Sequence, residues 1–351
     1  MKENNKKKNP RNSSIELLRI ILMFMIIIHH YSLYGNFVFS ETTFLNNVIL
    51  YLSILGNIAV EIFVLISGYY LSTSDFKISK LLKLLFEITS YSLIIYILFV
   101  ITGKTQFSPT LLKHAMFPII YDEYWFATTY VILYLLSPFL NKLINTIERK
   151  QHLNLLIIMS LLWILIPSLT QQTLYSSPVI EFVLLYFIGG YLKKYQDCYL
   201  LTNIKVTKLI TLSSIIFIII RVINNCYNGI LDYSFLKRDS IFVITIAVGI
   251  FCIFSKKTFY NKTINKISPC IFGIYLLHDN DYVRNLLWLE IFKNSNYQTS
   301  KYLIFHMIAS VIIVFIIGLV IELFRNKFIQ KPINKLFDNF EKKLQNDVNN
   351  K

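Results

Sequence analysis

The chain has 351 residues, 55% of them hydrophobic and only 16% charged, and its formal net charge is +15. A soluble domain of this length carries more charge and breaks its apolar runs sooner, so a water-soluble enzyme or binding module is excluded. A basic excess of this size would suggest nucleic acid in a soluble protein, but its distribution along the chain gives it another meaning.

Apolar runs close to the ~20 residues needed to span hydrocarbon recur from end to end. In chain order they predict ten spans, roughly 15–34, 48–71, 81–101, 124–141, 153–169, 179–192, 209–224, 239–255, 268–291 and 302–323. The first follows a basic "KKKNPR", as a secretory leader would, yet no small-residue cleavage site follows His30, so it reads as an uncleaved helix. The sixth is short, and the ninth is interrupted by "HDND". Neither an internal repeat nor a long polar insertion is visible, so 1–351 is predicted to be a single membrane domain occupying about 13–335. The fold class expected is an all-α integral membrane protein, a bundle of about ten transmembrane helices.

Of the 35 Lys and Arg residues, 26 fall in the N-terminus, in alternate loops with their span edges and in the C-terminal tail, whereas 7 fall in the other loops or, for Arg284, in the interrupted ninth span. By the positive-inside rule the 26 face the cytoplasm, which puts both termini inside, Lys262 inside, and Asn36 and Ser176 outside. The basic excess is therefore a topology signal, and nucleic acid is not needed as a partner. The tail "FRNKFIQKPINKLFDNFEKKLQ" is basic and amphipathic, suited to the inner leaflet surface. The cysteines Cys198, Cys226, Cys252 and Cys270 are scattered, with no C-x-x-C, so neither a zinc site nor a disulfide framework is expected.

Ionisable residues inside spans cost several kcal/mol unless paired or hydrated, which makes them functional candidates. Arg19 and His30 are eleven residues apart, about 20° from three full turns, so they share one face and are separated by about 16 Å along the axis. His29 points about 80° away from Arg19. Span two offers Asn57 and Glu61, span nine offers His278 and Asp279, and Lys80 and Lys83 stand at the start of span three. An arginine at a helix end also snorkels to headgroups, a span histidine also serves packing, and Lys80 and Lys83 also serve as topology anchors. Lining one path, these groups suit acyl transfer. A neutral imidazole takes a proton from an alcohol near pH 7, and cations at the inner mouth hold the phosphates of a coenzyme A donor. Glu61 is the carboxylate nearest His30 by depth and is the expected partner for its ring. No nucleophile elbow, H-E-x-x-H or P-loop occurs, and no metal is expected.

The chain resembles the acyltransferase 3 family of membrane acyltransferases. "IELLRIILMFMIIIHH" matches the family's Arg-x10-His pattern at Arg19 and His30, and "EIFVLISGYYLS" resembles its second-span segment. "YWFATTYVILYLLSPFLN" resembles its Trp-Phe…Pro segment, and "FGIYLLHDN" its late segment ending in His278. Four segments in the correct order make the resemblance specific. Where the family often has Arg-x-x-Arg, this chain has Lys80-Leu-Leu-Lys83, which keeps charge and loses bidentate geometry. More narrowly, the chain is similar to members that O-acetylate cell-surface or capsular polysaccharide. The resemblance implies a multi-pass protein of a bacterial-type cell membrane, with acetyl-CoA as acyl donor and a polysaccharide or lipid-linked sugar hydroxyl as acceptor. It implies Arg19 and His30 as catalytic residues, to which the depth argument adds Glu61; Arg19, Lys80 and Lys83 are expected on the donor, and His29, Asn57, His278 and Asp279 along the polar path. Two other classes remain open on the residues alone: a transporter of a lipid-linked sugar or other anionic solute, and a non-catalytic scaffold of polysaccharide assembly.

Overall fold

Capping residues set the helix starts. In the computed structural model, which describes residues 12–39, 44–170, 177–230 and 232–349, the first helix α1 (Ser13–Tyr34) begins where the Asn12 side chain accepts the Ser14 amide at 3.0 Å. Lys2, Lys6, Lys7, Lys8, Arg11 and Ser176 lie outside the described residues. A short α2 (Phe44–Tyr51) turns into α3 (Ile54–Leu71), which is followed by α4 (Ile78–Ile101) and the Ser108-capped α5 (Pro109–Met116). Next come α6 (Trp125–Thr146) and α7 (Arg149–Ser160), which runs through a π turn (Leu161–Leu165) into α8 (Ile166–Thr170). Ser177 and Pro178 start α9 (Pro178–Lys194), as expected of a cap followed by Pro at the first helical position. The rest are α10 (Tyr199–Thr202), α11 (Ile204–Tyr227), α12 (Ile241–Ser255), α13 (Lys262–Ile267), α14 (Ile271–His278), α15 (Asp281–Asn285), α16 (Leu303–Arg325) and α17 (Lys331–Asn349). Among the described residues there is no strand.

Among the described residues eight helical stretches are long and apolar enough to cross a membrane, matching predicted spans one to five, seven, eight and ten. The sixth predicted span is α9, which has 17 residues. The ninth is not one rod. A 3₁₀ turn at Ser268–Cys270 leads into α14, and the helix breaks again at Asp279 and Asn280. The Asn280 side chain accepts the Tyr282 amide at 3.1 Å to start α15 and donates to the Tyr124 hydroxyl at 2.9 Å. Irregular backbone at this depth is tolerated because protein surrounds it.

α3 is the central element: 67% of its span is buried, against 22–44% for the other spans. It packs on α1, α9 and α12. Its contact with α9 depends on glycines from both sides. A Cβ on Gly68 would stand 2.6 Å from the Tyr186 backbone, and one on Gly189 would stand 2.6 Å from the Leu65 carbonyl oxygen. Small residues at a crossing let helix backbones approach, the usual device where lipid offers no hydrophobic drive between helices.

A buried ionic cluster joins α4, α14 and α16. Arg325 donates to both oxygens of Glu322, at 2.7 and 2.9 Å, and lies 2.9 Å from Glu87. The Tyr91 hydroxyl donates to Glu322 at 2.6 Å, and Glu322 is fully buried against Gly273. After a π turn at Asn326–Gln330, α17 returns along α4. Lys83 Nζ lies 2.5 Å from Asp338, Ser79 donates to Glu341 at 2.5 Å, and Phe337 meets Phe86 edge-on. Leu336 and Phe340 on the same helix stay exposed, as an apolar face lying on a bilayer would be before lipid covers it.

Candidate active site

A cavity of about 410 Å³ opens between α1, α3, α6 and α14. Arg19, Met23, Ile26, His30 and Leu33 of α1 all line it. These positions are four, seven, eleven and fourteen residues on from Arg19, one stripe of a 3.6-residue helix. Arg19 and His30 therefore stand on one cavity wall, at its two ends, as their spacing predicts. On the facing helix α3, Asn57, Val60, Phe63 and Ser67 form the opposite wall. The middle is apolar, with Phe126 and Phe272 among its lining.

At the Arg19 end, the guanidinium donates to both oxygens of Glu16, at 3.1 and 3.2 Å. Glu16 also accepts from Ser268, in the turn before α14. This arrangement holds Arg19 in place while leaving about a third of its side chain, 32%, exposed. Leu84 lines the same end, which brings the start of α4 there. Lys83 is engaged with Asp338 of α17, and Lys80 is exposed; neither lines the cavity.

At the other end three histidines gather. His30 lies 5.3 Å from His29 and 5.0 Å from His278, ring centroid to centroid. His29 borders the cavity flank and its Nδ1 donates to the Ser53 carbonyl at 2.5 Å. His278 Nδ1 donates to the Ile274 carbonyl at 2.6 Å. A carbonyl can only accept, so both rings carry their proton on Nδ1 and present a bare Nε2. His30 is arranged the other way. Its Nε2 lies 3.4 Å from Asp279 Oδ1, and its Nδ1 is buried without a protein partner. A carboxylate at Nε2 favours the Nε2–H tautomer and leaves Nδ1 as the free acceptor.

The expected partnership of Glu61 with His30 is corrected by this geometry. Depth along the helix is compatible, but, although Asn57 one turn before lines the cavity, Glu61 does not. It is fully buried beside Glu181 and Arg238, away from the cavity. The carboxylate beside His30 is Asp279, brought there by the break after α14. Asn57 lines the cavity as a polar wall residue, its amide donating to the Leu236 carbonyl at 2.7 Å.

Close approach of α3 to the histidines depends on Gly56, where a Cβ would stand 2.3 Å from His29 Cγ. Trp125, Tyr34, Tyr130 and Tyr275 also line the cavity, and sequence reasoning did not single them out. The signal for Trp125 is its place in "YWFATTYVILYLLSPFLN", a segment whose pattern does not say which side chains form a wall. Among the described residues no group of three His, Cys, Asp or Glu is placed to hold a metal ion.

These features define a class: a helical membrane protein with an apolar cavity running from an anchored arginine to a carboxylate-paired histidine. The family model described as an acyltransferase domain, acyltransferase 3, matches residues 12–330, and the chain belongs to that family. It is thus a membrane acyltransferase. No curated protein and no solved structure matches it.

Proposed function

We propose that the protein takes acetyl from cytoplasmic acetyl-CoA and transfers it to a sugar hydroxyl of a cell-surface polysaccharide or its lipid-linked precursor, in the plasma membrane of a bacterial-type cell. The observation that carries this reading is the stripe from Arg19 to His30 along one cavity wall. Its length of about 16 Å suits the extended pantetheine arm of coenzyme A. Arg19, with Lys80 and Lys83 nearby at the surface, receives the phosphorylated end of the donor. The 26-to-7 distribution of Lys and Arg supports a cytoplasmic location for that end and for both termini, with α9 and the broken α13–α15 segment completing ten passes.

His30 Nδ1 accepts the proton of the acceptor hydroxyl as the oxygen attacks the thioester carbonyl. Asp279 holds the ring in the required tautomer and stabilises the imidazolium that forms. Collapse of the tetrahedral adduct breaks the carbon–sulfur bond, and the imidazolium returns its proton to the departing thiolate. The products are the O-acetyl ester and free coenzyme A. Apolar lining keeps water from the thioester.

The test is thiol release from acetyl-CoA by the purified protein in nanodiscs, with O-acetyl groups on the polysaccharide of wild-type and deletion cells measured by NMR. Acceptor-dependent thiol release, lost in His30→Ala, is expected. Unchanged O-acetylation in the deletion strain together with no thioester consumption overturns the proposal.

A further inference from the structure

Two aromatic rings border the His30 end of the cavity, and each is backed by an arginine. Trp125 opens α6, and the Arg238 guanidinium carbon lies 4.4 Å from its ring centroid. Tyr34 closes α1 one turn beyond His30, and the Arg284 guanidinium carbon lies 4.1 Å from its centroid. A cation over a ring is attracted by the ring's negative face. Each guanidinium occupies one face, so the rest of each ring is what lines the cavity. The arginines are held from behind in turn. Arg238 lies 3.3 Å from Glu181, while Arg284 lies 2.5 Å from Asp281 and 3.8 Å from Asp279. The rings are thus clamped in orientation, and the Tyr34 centroid lies 5.2 Å from the His30 ring.

From this geometry we infer that Trp125 and Tyr34 form a stacking site for an uncharged pyranose ring, with the Asn57 side chain on the facing α3 wall as a polar contact. The inference rests on the acyl-transfer reading for its purpose and on the rings for its argument. A pyranose has an apolar face of axial C–H groups that covers an aromatic plate, and a polar rim of hydroxyls. Stacked on these rings, it brings a rim hydroxyl toward His30. A flexible alcohol such as glycerol has no such face to offer. The charge balance sets the second half of the specificity. Each guanidinium is already paired with a carboxylate, Arg238 with Glu181 and Arg284 with Asp281. A uronic acid or sugar phosphate would therefore bring an unpaired charge into a mostly apolar cavity, whereas a neutral hexose or N-acetylhexosamine would not.

Saturation-transfer NMR on the protein in nanodiscs, free of glycoside detergent, tests this without any turnover. The probes are methyl β-D-glucopyranoside, methyl β-D-glucuronide and glycerol. The glucopyranoside is expected to receive saturation on the protons of its C–H face, with the glucuronide about tenfold weaker and glycerol silent. Trp125→Ala should weaken the glucopyranoside about tenfold, and Trp125→Phe should restore most of the signal, the size expected from one aromatic stack. If Trp125→Ala unfolds the chain, Tyr34→Ala against Tyr34→Phe gives the same comparison. Equal saturation in the Ala and Phe variants, or a glucuronide that binds as tightly as the glucoside, overturns the inference. Ring binding with this pattern in a protein that consumes no acetyl-CoA would uphold the site and count against acyl transfer.

Discussion

Asp279→Asn isolates the role of the carboxylate beside His30. The substitution keeps shape and removes charge, and it leaves Arg284 its closer partner Asp281 at 2.5 Å, so the break after α14 should survive. Both His30 and Asp279 are nearly shielded from solvent, with side chains 8% and 6% exposed at a separation of 3.4 Å. Full charges at that distance attract by about 5 kcal/mol at an effective dielectric constant of about 20. The net worth of a hydrogen bond to a charged group is smaller, about 1.5–3 kcal/mol. If that stabilisation appears when the imidazolium forms, kcat should fall about 10- to 150-fold. The assay is thiol release at saturating acetyl-CoA and acceptor, with thermal unfolding as a control and a double-mutant cycle against His30→Ala. Strong non-additivity is expected, because without the imidazole the carboxylate has nothing to orient. An unchanged kcat, or losses that simply add, would refute the pairing.

His30→Ala should lose about 10²- to 10⁴-fold in rate while the protein still inserts, whereas His29→Ala should retain activity within about tenfold; the reverse order in the same assay would move the base to His29. Replacing Lys80 and Lys83 together by Gln should raise the apparent KM for acetyl-CoA about two- to fivefold, and Asp338→Asn, which frees Lys83, should lower it, as read from initial-rate kinetics. Gly56→Ala puts a methyl 2.3 Å from His29 Cγ, so Tm should drop in a thermal-shift measurement, by an amount corresponding to about 1–3 kcal/mol. With an impermeant maleimide on intact cells, Asn36→Cys should label and Lys262→Cys should not; labelling at 262 would sink the ten-pass topology.

The helical, membrane-spanning character is legible in the sequence because apolar run length is set by bilayer thickness and needs no tertiary information. The joint placement of Arg19 and His30 on the cavity wall is legible for a related reason, since both lie on one helix and its 3.6-residue period decides their face. The error over Glu61 has the opposite origin. Its depth relative to His30 can be estimated from rise per residue, but its rotation about α3 depends on how α3 meets α9, and glycines 68 and 189 set that meeting. The "HDND" interruption signals a break, though not that the break would carry Asp279 across to His30. Trp125 and Tyr34 acquire their positions from Arg238 and Arg284, which lie far away in the chain, and no local pattern announces such a pair.

The ionic cluster around Arg325 bears on how the chain is made. Tyr91 and Glu322 are 231 residues apart, so α4 enters the membrane with Glu87 and Tyr91 long before the ribosome has delivered α16. Throughout that interval an acidic side chain in an otherwise apolar segment lacks its arginine, at a cost that the insertion machinery or water at the interface must absorb. A helix synthesised late, α16, therefore completes a site begun by α4, and the bundle is expected to close there only after α16 has been made. A nascent chain stopped before Arg325 would display an unmatched carboxylate within the bilayer, a recognisable mark for membrane quality-control proteases. The same cluster that locks the finished bundle would in this way report whether synthesis was completed.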